Sequence, residues 1–334
     1  MNCDCDANNV LCSICGNQNN NKIYKVKEML IGLGDVFDYL ECGECGCLHI
    51  LNHPYDLSKY YPKDYYSFIP IDKDNTKVPT SQKILFDLRA KSIRCMYTKK
   101  GGILSRIISW KLPHLLSPLK PESGIFDKKI LDIGCGHGDL LKTLATAGFN
   151  NLYGIDPFIE KEIIYNLPNG KNITIYKKEI FELDDTFDII MLNHSLEHMP
   201  EQEVVLRRVC EMLNESGKCI IRIPTVSSYS WQKYRECWFA LDAPRHLYLH
   251  SLKSIATLAE SSGFKVSDYA FDSILGEFYS RAYQKGWNLE RTLKFLYSPL
   301  GFPFLTRTIL QAIYMNRKGV GDSICVYLEK IRSE

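Results

Sequence analysis

Short apolar runs recur along the chain at 129–134, 152–156, 173–177, 187–192, 217–223, 264–271 and 323–329, and they read as seven strands. Between them lie segments whose apolar residues repeat at helical spacing, such as DLLKTLATAGF at 139–149 with its terminating glycine. This alternation predicts a doubly wound, Rossmann-like α/β sheet. The front of the chain has another rhythm, in which KIYKVKEML (22–30) and DVFDYLEC (35–42) flank IGLG as the arms of a hairpin. Between 276 and 318 the pattern is helical and rich in aromatics, too polar and too broken by Pro299 and Pro303 to span a membrane. It suits a helical cap or a dimer surface, and the chain is expected as a monomer or homodimer.

The 334 residues, 45% of them hydrophobic, can build two domains or one large domain with insertions. Formal net charge is +2, so no global field draws the chain to nucleic acid, and partners must be argued from local sites. MNCDCDANNVLC lacks the basic start and apolar core of a secretory signal, and no apolar run reaches the roughly 18 residues that span a bilayer. Thirteen cysteines in that context imply a reducing, cytoplasmic setting, where paired thiols bind metal more often than they form disulfides.

CSICG (12–16) and CGECG (42–46) are two C-x-x-C knuckles, each followed by glycine. Each short turn presents two sulfurs to one ion, so Cys12, Cys15, Cys42 and Cys45 are candidate zinc ligands in a zinc-ribbon-like module over 1–54. Cys3, Cys5, Cys47 and His49 lie close enough in sequence to substitute for one of them. Four thiolates leave no open position, so such a zinc is structural rather than catalytic. The competing reading is four reduced cysteines without metal.

A linker and helical segment follows over 55–123. Its Tyr-rich start, YDLSKYYPKDYYSF, makes Tyr65 and Tyr66 candidate acceptor contacts or, equally, packing residues between domains. From Leu88 to Pro121 there is no acidic residue, while eight Lys and Arg accumulate beside apolar positions. A solvated helix face explains that pattern most simply, and contact with a membrane surface or polyanion is the alternative.

The densest chemistry lies at 129–149. KILDIG runs into Gly134-x-Gly136-x-Gly138 and then into a helix, so bare backbone and free helix amides face a ligand. A dinucleotide loop would show G-x-G-x-x-G, and the spacing here is shorter. Asp156, at the end of the next strand in LYGIDP, can accept both ribose hydroxyls. The pattern fits an adenosyl ligand without a diphosphate.

ILDIGCGHGDLL, YGIDP and FDIIMLNHSLEHMP, in that order, resemble the cofactor motifs of class I S-adenosylmethionine-dependent methyltransferases from about Lys129 to Lys265. The resemblance implies a seven-stranded sheet with its last strand, GDSICVYLEK, antiparallel, in a domain over 124–334. It implies that Gly134, Gly136 and Gly138 wrap the methionine part of S-adenosylmethionine, that Asp132 holds the loop, and that Asp156 takes the ribose. Glu179 and Ile180 fall where the family's adenine contacts lie, and Asn193 ends the fourth strand.

Residues just beyond that strand border the reacting group, which points to His194, Glu197 and His198 as catalytic candidates. HSLEH also matches H-x-x-E-H, but that zinc motif needs a continuous helix and here a loop follows a buried strand. His198 is either a general base or a brace for the loop. The segment 228–250 reads as an acceptor lid, in which Asp242, Arg245 and His246 are candidate substrate contacts among aromatics, or else an internally paired packing element.

DAPRHLYLHS, the helix after it, the double C-x-x-C and GVGDSICVYLEK resemble a bacterial methyltransferase group of surface-polysaccharide and deoxysugar pathways. That implies methylation of a sugar or nucleotide sugar. Two alternatives stand beside it. One is an O-methyltransferase of a lipid-linked or quinone-like molecule, with peripheral membrane contact. The other is a zinc-ribbon nucleic-acid-binding protein, which near-neutral charge and knuckles poor in basic residues disfavour.

Overall fold

The computed structural model describes residues 10–61, 80–100, 102–111, 117–166, 172–296, 298 and 301–331. Tyr65, Tyr66, Cys3 and Cys5 lie outside the described residues. Twelve strands form among the described residues: β1 (Lys22–Lys27), β2 (Val36–Glu41), β3 (Leu48–Ile50), β4 (Lys129–Ile133), β5 (Asn151–Ile155), β6 (Ile163–Asn166), β7 (Asn172–Tyr176), β8 (Phe187–Asn193), β9 (Leu213–Pro224), β10 (Tyr248–Leu249), β11 (Phe264–Phe271) and β12 (Ser323–Lys330).

β1, β2, β3 and β10 make a four-stranded sheet in that order, and the others an eight-stranded sheet ordered β11-β12-β9-β8-β4-β5-β7-β6. All seven expected strands are present. The eighth, β6, pairs antiparallel with β7, from Ile163 opposite Ile175 to Asn166 opposite Asn172. It is a short edge strand whose residues are at most half-buried, so it lacks the apolar run that marked the others.

The chain forms two compact units. The first comprises Met1–Tyr61, Leu196–Glu203 and Ile223–Cys325, and the second Pro62–Ser195, Val204–Arg222 and Val326–Glu334. In the second unit β4 pairs in parallel with β5 on one side and with β8 on the other. The strand order reverses there, so β4 is the topological switch point, and loops leaving its carboxyl end border a ligand crevice. Ile130, Leu131 and Ile133 are buried on β4, as are Ile189, Ile190, Met191 and Leu192 on β8. Apolar residues occupy both faces because helices cover them, among them Asp139–Ala147, whose Leu140, Leu141 and Leu144 are buried.

In the first unit the expected hairpin forms, β1 pairing antiparallel with β2 and β2 with β3. β10 then adds to β3, with Tyr248 opposite His49 and Leu249 opposite Leu48. Val26, Phe37, Tyr39 and Leu48 pack with Trp231, Tyr234, Trp238 and Leu249 in one apolar cluster. Three helices, Gly276–Gln284, Leu289–Leu296 and Gly301–Arg317, fill the helical region after β11. Pro303 sits in the first turn of the last, where its missing N–H is tolerated. No helix of the described residues is long and apolar enough to cross a membrane.

Candidate active site

Gly134, Gly136 and Gly138 all adopt positive φ (69°, 55° and 73°), a conformation that side chains with a Cβ resist. At Gly134 the close approach is absolute, since a Cβ would stand 2.5 Å from Cβ of Ser195. Ser195 in turn donates its hydroxyl to the Ile133 carbonyl at 2.7 Å. Gly138 caps the helix Asp139–Ala147, whose first amides face the loop.

Asp156 ties that loop to the end of β5. Its Oδ2 accepts the Gly136 N–H at 2.8 Å and its Oδ1 the Phe158 N–H at 2.9 Å, which leaves further lone pairs on both oxygens for a diol. Asp132 is 2% exposed, and its Oδ1 has no hydrogen-bond partner. Burial, with the charge of Asp156 added, pushes its carboxyl up to about 8. A buried carboxyl with an unpartnered oxygen, beside a glycine loop without side chains and the lone pairs left on Asp156, fits a ligand that carries positive charge and hydroxyl donors, as S-adenosylmethionine does.

Glu179 is exposed and begins a turn, its N–H donating to Glu182 Oε2 at 2.7 Å, while Ile180 beside it is buried. Asn193 ends β8, and its Oδ1 is buried without a partner. His194 is exposed at φ 56°, with its N–H bonded to the Arg222 carbonyl at 2.8 Å. Two residues of this half were missed in the sequence. One is Ser195, described above; the other is Gly154 in LYGIDP, where a Cβ would come within 2.6–2.7 Å of Ile175, Cys135 and Leu141. Its position inside an apolar strand was the available signal.

In the first unit Leu196–His198 is a 3-10 turn, not a continuous helix, so H-x-x-E-H does not form. His198 Nδ1 lies 2.8 Å from the Arg245 carbonyl and 3.4 Å from the Tyr61 hydroxyl, and its ring centroid is 4.7 Å from that of His246. His246 Nδ1 lies 2.7 Å from the Ala240 carbonyl. Burial, then the neighbouring His198, lowers the proton affinity of His246 and keeps its ring neutral. Glu197 is 1% exposed.

Arg245 has a fully enclosed side chain. It donates to Asp242 Oδ1 at 2.6 Å, to Glu28 Oε1 at 2.9 Å and to the Tyr60 carbonyl at 3.0 Å. Glu28 also accepts the N–H groups of Ile31 and Leu33. Asp242 and Arg245 are thus paired with each other. Glu28 and Tyr61 were missed, because they stand 217 and 137 positions from the groups they bond and carry no local motif.

The four knuckle cysteines converge. Cys12 and Cys45 sulfurs are 3.7 Å apart, Cys15 and Cys42 sulfurs 3.5 Å apart, and all four lie within 4.8 Å of one another. A tetrahedral zinc with bonds of about 2.3 Å sets its sulfurs about 3.8 Å apart, so the spacing fits. Each knuckle closes on its glycine, Gly16 N–H to the Cys12 carbonyl and Gly46 N–H to that of Cys42. Glu44 and Cys45 N–H groups point at Cys42 Sγ from 3.4 Å. Cys47 is fully buried outside the four.

A family model described as a methyltransferase domain matches residues 105–269. This stretch is a methyltransferase domain. Ubiquinone biosynthesis O-methyltransferase of Erwinia tasmaniensis is 28% identical over 131 residues, 35% of this chain and 54% of that protein. The Shewanella sp. protein of the same name is 31% identical over 117 residues, 31% and 49% of the two chains. The chain therefore spans about half the length of the curated relatives it matches. Magnesium protoporphyrin IX methyltransferase from Synechocystis PCC 6803, solved with bound SAH, aligns over 82% of this chain and 97% of its own at 14% identity and TM-score 0.43.

Proposed function

We propose that the chain transfers a methyl group from S-adenosylmethionine to a sugar or nucleotide-sugar acceptor, with a structural zinc on Cys12, Cys15, Cys42 and Cys45. The donor, when bound, supplies a methyl already activated by a cationic sulfur. The loop Gly134–Gly138, Asp132 and Asp156 bind and orient it, and orientation accounts for most of the acceleration that such a reaction needs.

The observation that carries the acceptor half is the histidine pair. An acceptor hydroxyl or carbon must lose a proton as its new bond to methyl forms. Both rings place their Nδ1 on a carbonyl, which leaves the Nε2 lone pair of His198 able to take that proton, while His246 Nε2 lies 4.0 Å from Asp242 Oδ2. We assign the proton to His198 Nε2, with His246 beside it and Tyr61 holding its ring.

The test uses methyl-labelled donor with nucleotide sugars, and mass spectrometry of the products. A gain of one methyl on a sugar supports the reading, while label confined to catechols or polyprenylated phenols replaces it with the O-methyltransferase alternative. That second reading is favoured by the similarity to the ubiquinone-pathway enzymes.

A further inference from the structure

A histidine that ligates a metal almost always spends its other ring N–H on a carbonyl or carboxylate. His198 and His246 both do so, at 2.8 and 2.7 Å, and since a carbonyl only accepts, both rings carry their proton on Nδ1. The two segments that bear them are laced together by the His198 bond to Arg245 and by the Leu247 N–H bond to the Glu197 carbonyl at 2.7 Å. Glu197 adds a buried carboxylate, and the three residues each offer a ligand atom within 4.8 Å of the others.

We propose that Glu197, His198 and His246 hold a divalent transition-metal cation through one carboxylate oxygen and two Nε2 atoms, with the remaining positions open. Two imidazoles favour zinc, iron(II) or manganese(II) over magnesium or calcium, which prefer oxygen throughout. Bonds of about 2.0–2.2 Å draw ligand atoms to roughly 3 Å from one another, so the side chains close inward while their Nδ1 bonds hold the rings. This site is separate from the four-cysteine cluster.

The proposal rests on the acceptor reading and revises its base: with the ion bound, His198 Nε2 is a ligand and no longer takes the proton, and open positions on the ion would take oxygens of the acceptor, such as adjacent hydroxyls, and lower their proton affinity so that the proton passes to solvent. Metal binding itself needs no acceptor, so the two ideas fail separately. Loss of sugar methylation with the ion bound sinks only the acceptor reading.

The experiment takes the full chain already carrying one equivalent of zinc and titrates it with manganese(II), following the free ion by electron paramagnetic resonance. A second equivalent is expected to bind. His246→Gln and Glu197→Gln are each expected to weaken it at least tenfold, and Cys47→Ala to leave it unchanged. A stoichiometry that stays at one metal, or a second equivalent equally tight in His246→Gln, overturns the proposal. Because a buried substitution can prevent folding, wild-type protein is also titrated with cobalt(II). The second equivalent is expected to show visible ligand-field bands without sulfur-to-metal charge transfer; charge transfer accompanying it overturns the proposal as well.

Discussion

Asp132 is the residue whose charge state the fold disturbs most plainly in the donor half. Its carboxyl titrates near 4 in an unfolded chain and at about 8 in the folded one, because burial and the charge of Asp156 both oppose ionisation. Between those values the folded state binds the extra proton. Stability from this group is therefore full below about pH 4 and lost as pH rises toward 8, with a slope of up to about 1.4 kcal/mol per pH unit. Urea midpoints without donor are expected to fall from pH 5 to 8 in the wild type and to fall less in Asp132→Asn. Equal slopes in the two proteins would show that the carboxyl is ionised throughout. At the loop itself, Gly134→Ala meets both a positive φ and the Ser195 side chain, and is expected to cost about 1–3 kcal/mol and to weaken donor binding. Asp156→Ala is expected to weaken donor binding in calorimetry through the lost ties to Gly136 and Phe158. His198→Ala is expected to leave that binding near wild type and to slow turnover.

Among the elements, the two knuckles are the ones that the proposed zinc would hold together. The sulfurs sit at zinc spacing, and four thiols held there without a cation have only weak mutual bonds. Stripping zinc with a strong chelator is expected to lower the melting temperature by about 5 °C or more. Cys45→Ser is expected to lose the metal, while Cys47→Ala keeps one zinc per chain by metal analysis. The knuckles were legible because their geometry is local, two ligands in one turn. The parallel strands were legible for a similar reason, each being a continuous apolar run. β10 was not, since two residues carry no pattern and its partner His49 lies some 200 positions away in the chain. The same distance hid Glu28 behind Arg245. The sequence marked Arg245 and His246 as a chemically dense loop, but whether a guanidinium faces a ligand or a buried glutamate is decided by packing that no local signal encodes.

At the scale of the molecule, the expected module over 1–54 belongs to a larger unit together with 196–203 and 223–325. Its sheet continues into β10, its Glu28 neutralises the enclosed Arg245, and its Glu41 accepts the Trp231 indole N–H at 2.9 Å. Tyr39 donates its hydroxyl to the His246 carbonyl at 2.7 Å, so the front of the chain also fixes a residue of the histidine pair. A chain beginning at residue 55 would expose the inner faces of Trp231 and Trp238 and take from the enclosed Arg245 one of its two carboxylate partners, leaving Asp242. Removing the sole partner of a buried charge costs about 3–5 kcal/mol, and here Asp242 remains to compensate Arg245. Glu28→Gln is accordingly expected to lose about 1–3 kcal/mol of stability by urea denaturation, the scale of a lost buried charged hydrogen bond, and the truncated chain to be recovered only as aggregate. A truncated chain that stays monomeric and melts within about 2 °C of the full one, a difference of under 1 kcal/mol at this size, would show the front module to be an independent appendage rather than a wall of the unit that carries the histidines.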